Sequence, residues 1–222
     1  MREPARPQEV CQLVIVLDAE RYRTPEKIDI LAVIAGLEAK GAIANALFVF
    51  ISEESSASRW AECPCHPPFA DFILQEVLPR IETLHPEARN ARERVLVGLG
   101  YTGLAAAFVA LRSAGRFHWV VAQSGSFWWN QGWILRHLGE LGGDPGTRFY
   151  LDVGLEETAE NVRHKEDVLQ VISQIEGVRG FRDALREAGH EVRYVEYEGG
   201  HDYPSWRKTL PGALRWALPR HL

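Results

Sequence analysis

Residues 95–104, VLVGLGYTGL, join a short apolar run to closely spaced glycines, and the small-residue stretch AAAFVAL follows. This order is typical of a nucleophile elbow, the sharp strand-to-helix turn that holds a catalytic serine above a sheet. The elbow pattern is G-x-S-x-G, whereas residues 98–102 of this chain read GLGYT. Gly100 therefore occupies the position of the nucleophile, and Thr102 occupies that of the second glycine.

The elements that must position this turn follow from hydrophobic periodicity. Six short apolar segments rich in Val, Ile, Phe and Tyr are predicted strands: residues 13–17, 46–51, 94–97, 118–122, 148–153 and 192–197. Amphipathic segments between them are predicted helices: residues 28–40, 69–83, 103–113 and 168–188. The alternation predicts a mainly parallel sheet between two layers of helices. Residues 52–68 and 127–145 are interpreted as loops.

Polar or glycine-rich residues follow five of the six predicted strands. They are residues 18–20, 98–103, 123–129, 156–157 and 199–202. In open α/β sheets, ligands bind beyond the carboxyl ends of the strands. The sequence therefore predicts one site at this edge of the sheet, with the glycine turn in it.

Three longer segments occur in a fixed order along the chain: VLVGLGYTGLAAAF, VVAQSGSFWWN and EGGHDYPSWRKTL. Together they resemble the esterase branch of the α/β-hydrolases that includes the enterochelin (enterobactin) esterases. Weaker support comes from LDAERY and from RWAECPCHPPF, so the resemblance covers nearly the whole chain. It implies the α/β-hydrolase fold, a three-layer α/β/α sandwich, and the hydrolysis of carboxylic esters. The implied substrate class is a catecholate siderophore ester.

The family uses a serine, a histidine and, in some members, an acid, which follow one another along the chain in the order serine, acid, histidine that is typical of α/β-hydrolases. Carried over, the resemblance places the nucleophile at Gly100, the acid at Glu157 or, as the alternative, at Glu156, and the histidine at His201. A histidine hydrogen-bonded in a tight turn and a solvated acid at a helix start are the simpler interpretations of these residues.

The resemblance also implies an oxyanion hole. Its donors would be the backbone N–H of Tyr101 and one from residues 18–21, at Ala19 or Glu20. Such donors stabilise a tetrahedral intermediate, but acyl transfer by the serine route also needs an oxygen nucleophile that histidine can deprotonate. Glycine supplies none, so no acyl-enzyme can form at Gly100.

Three interpretations of Gly100 are open. The one we favour is a natural member of the fold that lacks normal serine-esterase activity, a pseudoenzyme. The second is an active carboxylic-ester hydrolase in which a serine was changed to glycine, and the third is an enzyme with another nucleophile. Thr102 lies where the helix starts, which favours a capping role over a catalytic one. From a different class of function, a binding or dimerisation scaffold also remains.

Aromatic and cationic residues near the predicted site suggest its ligand. Trp128, Trp129 and Trp206 could stack on a flat ring, and Arg59 could attract an anion. Core packing and surface salt bridging are the simpler interpretations of these residues. The expected partner is a small-molecule ester or an anionic or aromatic ligand.

Composition limits the remaining classes of function. The chain has 222 residues with 46% hydrophobic content, enough for one domain over residues 1–222. The net charge of −5 argues against nucleic-acid binding. The three cysteines and eight histidines show no metal-ligand spacing. GLGYTG matches G-x-G-x-x-G, but it follows the third strand and the next strand ends in Gln123, so neither a dinucleotide nor another cofactor is expected.

The first twenty residues lack a signal-peptide pattern, and no stretch approaches the roughly 20 apolar residues that span a bilayer. With the odd cysteine count, this predicts a cytoplasmic protein without a membrane partner. Family members normally begin with two further antiparallel strands, for which the short segment before residue 13 leaves no room. We expect a shortened sheet of about six strands in which residues 46–51 form an exposed edge, covered by the N-terminal arm or by a homodimer. The initial Met1 favours a complete chain over a fragment.

Overall fold

The computed structural model describes residues 12–220. Within them lie eight strands: β1 (Gln12–Leu17), β2 (Ala46–Ile51), β3 (Glu93–Leu99), β4 (Trp119–Gln123), β5 (Arg148–Gly154), β6 (Val162–Lys165), β7 (Val168–Gln170) and β8 (Val192–Tyr197). Six of these form one sheet in the order β2-β1-β3-β4-β5-β8, and every neighbouring pair in it is parallel. The predicted six-stranded sheet is therefore confirmed.

Helices cover both faces of this sheet. In the described part of the chain they are α1 (Ala19–Arg23), α2 (Ile30–Ala39), α3 (Ser56–Glu62), α4 (Pro67–Asp71), α5 (Leu78–Leu84), α6 (Gly100–Arg112), α7 (Trp129–Arg136), α8 (Gln174–Glu187) and α9 (Tyr203–Ala217). A π-helix, Phe72–Val77, joins α4 to α5. Alternate residues of β1 point to opposite faces: Leu13 and Ile15 belong to the core layer that includes α6 and α8, whereas Val14 and Val16 belong to the layer that includes α2 and α9. The result is the predicted three-layer α/β/α sandwich.

The prediction of a helix over residues 168–188 was wrong at its start. Its first residues, VLQ, form β7, which pairs antiparallel with β6 in a separate hairpin. Helix α8 begins only at Gln174, where Ser173 and Glu176 form a capping box. The β-branched run before Ser173 is better suited to a strand, and the serine supplies the helix start.

Both segments interpreted as loops contain helices. Residues 52–68 include α3, whose first turn is held by a capping box between Ser55 and Ser58. Residues 127–145 include α7, in which Asn130, Gln131 and Gly132 take left-handed backbone angles. The guanidinium of Arg136 donates hydrogen bonds to the carbonyls of Asn130 and Gln131 and so stabilises this unusual turn.

Strand β2 lies at the edge of the sheet, as predicted. The N-terminal arm lies outside the described residues, and a homodimer at this edge stays a prediction. Between residues 12 and 220, no helix is both long enough and apolar enough to cross a bilayer.

The junction between β3 and α6 depends on Gly98. A β-carbon on Gly98 would lie 2.1 Å from the carbonyl oxygen of Thr102, so the backbone itself would have to move.

We expect Gly98→Ala to lower the free energy of unfolding by about 3 kcal/mol or more, measured by chemical denaturation. The matched control is Gly36→Ala in α2, where no atom lies within 4 Å of the added carbon. The Gly36→Ala variant should have a free energy of unfolding about 0.5–1 kcal/mol higher than that of the natural chain. Equal stabilities for the two variants would contradict this account of the turn.

Candidate active site

The turn after β3 is closed by its own backbone and by Thr102. Gly100 begins α6 with a φ of +52°, a conformation that side chains rarely adopt. The buried hydroxyl of Thr102 accepts a hydrogen bond from the amide of Leu99 at 3.0 Å and donates one to the Leu99 carbonyl at 2.8 Å. Thr102 thus holds the first turn of α6, in agreement with its predicted position at the helix start.

Gly100 faces the imidazole of His201. A β-carbon on Gly100 would lie 3.6 Å from Nε2 of His201 and 3.8 Å from Nη2 of Arg59, both ordinary van der Waals distances. The turn therefore has room for a serine side chain, whose hydroxyl could come within hydrogen-bonding reach of Nε2. The structure thus brings these two predicted site residues together, and the assignment of residue 100 as the nucleophile position stays a prediction.

His201 is oriented by the carboxylate of Glu157. Nδ1 of His201 lies 2.6 Å from Oε2 of Glu157, and Oε1 accepts hydrogen bonds from the Gly154 amide at 2.7 Å and the Ser124 hydroxyl at 2.6 Å. An ionised carboxylate only accepts hydrogen bonds, so the imidazole carries its proton on Nδ1 and presents Nε2 towards Gly100. This is the orientation that a general base needs in a Ser-His-acid triad.

The loop that carries His201 is fixed against the end of β5. The Gly199 carbonyl accepts a hydrogen bond from the Glu156 amide at 3.0 Å. A β-carbon on Gly154 would lie 2.2 Å from the same carbonyl oxygen, so the two loops approach too closely for a side chain there. Asp202, next to His201, caps α9 through the Ser205 amide at 2.8 Å. The carboxylate of Glu156 itself lies exposed at the rim of the cavity.

Trp206 lies beneath the imidazole and not in the wall of the cavity. Its ring is 4% exposed and meets the ring of His201 edge-on, with centroids 4.7 Å apart. Its Nε1 donates a hydrogen bond to the Ser124 hydroxyl at 2.9 Å. Trp206 thus supports the histidine from below, whereas the sequence predicted a ligand contact.

Arg59 reaches the turn from α3. Its side chain donates through Nε to Asp18 at 2.9 Å and through Nη2 to the Leu99 carbonyl at 3.4 Å. Asp18 is fully buried and also pairs with Arg21. The cation predicted from the sequence is therefore held beside Gly100 by a buried ion pair.

The predicted oxyanion donors lie on two different helices. Tyr101 is in the first turn of α6 and lines the cavity. Ala19 and Glu20 begin α1, directly after the buried Asp18, and neither is part of the cavity wall. Their role as oxyanion donors stays a prediction.

A cavity of about 380 Å³ opens at this turn. Its lining residues are Arg59, Trp60, Gly100, Tyr101, Ser126, Trp128, Glu156, Glu157, Ala159, Val162, His164, Gln170, Gln174 and His201. Tyr101 meets Trp60 edge-on, with ring centroids 4.5 Å apart. The imidazole of His164 stacks on Trp128 at 5.1 Å, so the β6–β7 hairpin forms the outer wall. Trp129, a predicted ligand contact, lines a neighbouring cavity instead.

Residues 3–217 match the esterase family described as "Putative esterase". The chain belongs to this esterase family. The resemblance noted from the sequence motifs is therefore confirmed.

Among its relatives in the esterase family, the iron(III) enterobactin esterase of Dickeya dadantii is 31% identical over 93% of this chain and 47% of its own length. The iron(III) enterobactin esterase of Escherichia coli K12 is 26% identical over 91% of this chain and 48% of its own length. The crystal structure of the Shigella flexneri enterobactin esterase in the presence of enterobactin superposes with a TM-score of 0.80 at 25% identity, covering 94% of this chain and 51% of that one. The chain spans about half the length of these relatives.

Sequence reasoning missed the polar groups under the site of this esterase-family chain. Ser124, which has a φ of +44°, lies 3.1 Å from the hydroxyl of Tyr197 and links it to Glu157. Asp152, fully buried at the end of β5, accepts a hydrogen bond from the Ser124 amide at 3.2 Å. An acid inside the apolar run FYLDV was the one available signal of this network.

Burial raises the pKa of Asp152 from 3.8 to about 7, with the nearby Glu157 adding to the shift. Between about pH 4 and pH 7, residue 152 is ionised in the unfolded chain and neutral in the folded protein. The free energy of unfolding therefore falls as pH rises through this window, and the loss is complete above about pH 7.

We therefore expect Asp152→Asn, which cannot ionise, to gain stability relative to the natural chain as pH rises from 4 to 8, by about 2–4 kcal/mol in total. The measurement is chemical denaturation across that pH range. Asp167→Asn, which removes an exposed carboxylate, controls for the change in net charge. A stability difference between Asp152→Asn and the natural chain that does not change with pH would show that Asp152 is not the neutral buried acid described here.

Proposed function

We propose that this esterase-family protein does not carry out acyl transfer by the serine route and keeps its cavity as a binding site for a small aromatic or anionic ligand. One observation carries the proposal: the position facing Nε2 of His201 holds Gly100, which has no side chain. Acyl transfer in this fold needs an oxygen there. Backbone donors and binding alone leave only about 10³–10⁴-fold catalysis over water, as in hydrolases whose triad has been disrupted.

The hydroxyls near the turn support this proposal. Thr102 is occupied by the Leu99 backbone, and Ser124 is occupied by Glu157 and Trp206. Ser126 lines the cavity, and its amide donates to the Gly100 carbonyl at 3.0 Å. It is therefore the hydroxyl to test as a substitute nucleophile.

The kind of ligand is supported by the wall and by the relatives. Tyr101, Trp60 and Trp128 present aromatic surface to the cavity, and Arg59 adds a cation. Aromatic walls with a few polar groups are typical of sites for flat ligands. The relatives from Dickeya dadantii and Escherichia coli are enterobactin esterases, which supports an aromatic siderophore ester or its product as the ligand.

Restoring the hydroxyl tests the proposal directly. With a short p-nitrophenyl ester, we expect Gly100→Ser to raise the hydrolysis rate at least about 100-fold over the natural chain, because His201 and Glu157 are already aligned. The double variant Gly100→Ser/His201→Ala should return to the rate of the natural chain. A natural chain as active as Gly100→Ser would contradict the proposal.

In that case, single variants of the natural chain would identify the catalytic group. Loss of activity in Ser126→Ala would identify Ser126 as the substitute nucleophile, and loss only in His201→Ala would indicate a water activated by the imidazole.

The same substitution has an expected effect on stability. Because residue 100 has a φ of +52°, a non-glycine residue there is strained by about 1–3 kcal/mol. Gly100→Ser should therefore lower the free energy of unfolding by that amount while it raises activity. Chemical denaturation of the two proteins checks this, and an unchanged or higher stability would show that the turn relaxes around the serine.

A further inference from the structure

Because residue 100 has no side chain, its backbone borders a small space next to two polar groups. The position of its absent β-carbon lies 3.8 Å from Nη2 of Arg59 and 3.6 Å from Nε2 of His201. The space opens into the cavity of about 380 Å³. Both bordering groups can donate hydrogen bonds, the guanidinium at all times and the imidazole when it is protonated.

The charges around this space favour an anion. The side chain of Arg59 is only 10% exposed, and its partner Asp18 is shared with Arg21, so these three groups carry a net charge of about +1. Burial raises the pKa of the neighbouring Glu53 to about 7, so this carboxyl offsets only part of that charge near neutral pH. The thirteen-residue helix α6 begins at Gly100, which places the positive end of its dipole here. Both oxygens of Glu157 are engaged by hydrogen-bond partners, four in all, and the charge of Glu156 is screened by water at the rim.

The nearby wall is aromatic. The ring of Tyr101 lies edge-on to Trp60 at 4.5 Å and to Trp128 at 5.8 Å, and all three line the cavity. Trp128 is held in place by a hydrogen bond from Nε1 to Gln174 at 2.5 Å. A rigid wall of this kind suits a flat ring of one or two fused cycles.

We infer that the site binds a free aromatic carboxylic acid, with its carboxylate next to Gly100, in the part of the cavity that a side chain at residue 100 would narrow. This inference rests on the proposed function, because an acyl-transfer enzyme needs that space for its nucleophile. The planar guanidinium of Arg59 matches a carboxylate, which gains a charge-assisted hydrogen bond that a neutral ester or amide cannot make. The ring lies against the aromatic wall, so the chain binds the acid in preference to the ester.

The test compares 2-naphthoate with its neutral analogue 2-naphthamide by isothermal titration calorimetry on the full chain. We expect the carboxylate to bind at least tenfold more tightly, which corresponds to about 1.4 kcal/mol. Gly100→Ala places a methyl group in the space without adding a hydroxyl. It should weaken naphthoate binding at least tenfold. Gly212→Ala in α9, where the added carbon meets no atom within 4 Å, is the matched control and should bind like the natural chain.

A second variant tests the cation. Arg59→Gln should remove the preference for the carboxylate while Asp18 keeps its pair with Arg21. If that variant does not fold, judged by circular dichroism and thermal unfolding, Gly100→Ala decides alone. Equal affinities for the two probes, no binding by the folded protein, or unchanged naphthoate affinity in Gly100→Ala would each overturn the inference.

These outcomes separate the inference from the proposed function. A natural chain that hydrolyses p-nitrophenyl esters as fast as Gly100→Ser, and still prefers naphthoate, contradicts the proposed function and leaves the binding site in place. A natural chain without esterase activity that does not distinguish the two probes contradicts only the binding inference.

Discussion

The close approach of α6 to the end of β3 is the constraint on which the whole site depends. Residue 98 can have no side chain because the Thr102 carbonyl occupies the place of its β-carbon, at 2.1 Å. The same approach directs the first turn of α6, which is buried from Gly100 to Leu111, at the cavity. Gly103 in turn lies against the Gly125 backbone, where an added carbon would meet Cα at 3.2 Å. This contact holds the carboxyl ends of β3 and β4 together, so the surface that faces His201 is fixed.

The hydrogen-bond network buried under His201 stabilises the fold whether or not the protein is a catalyst. Removing Glu157 would leave the Gly154 amide without this acceptor and the Ser124 hydroxyl with the Tyr197 hydroxyl in its place, and an unsatisfied buried polar group costs about 1–3 kcal/mol. Nδ1 of His201 would lose its partner as well. An intact histidine–glutamate pair is therefore what folding alone would preserve, and it is weak evidence for catalysis. The residue that discriminates between the functions is Gly100.

Much of the framework could be predicted because it depends on local patterns. Residues 46–51 and 192–197 were predicted with the bounds that β2 and β8 have, since both are apolar or alternating runs with clear ends. The triad positions lie at strand ends, which a parallel sheet brings to one edge. What depends on tertiary contacts could not be predicted. The stacking of His164 on Trp128 requires the hairpin to fold back over the cavity, and the pattern of residues 168–173 does not reveal this. The same holds for the left-handed turn at residues 130–132. This turn directly follows Trp129, which lines the neighbouring cavity.

The two glycines of the turn have different physical causes, and the difference bears on function. Gly98 is required by packing, because no side chain fits. Gly100 is not required by packing, because a β-carbon there would make only ordinary contacts at 3.6–3.8 Å. A serine at residue 100 would be disfavoured solely by the positive φ. A fold that needs a catalytic serine tolerates that strain in exchange for activity, whereas a fold that only binds a ligand gains stability without it. Packing therefore gives no reason for a glycine at residue 100, whereas the relief of backbone strain does, and the proposed function would add a second reason in the room left for a ligand.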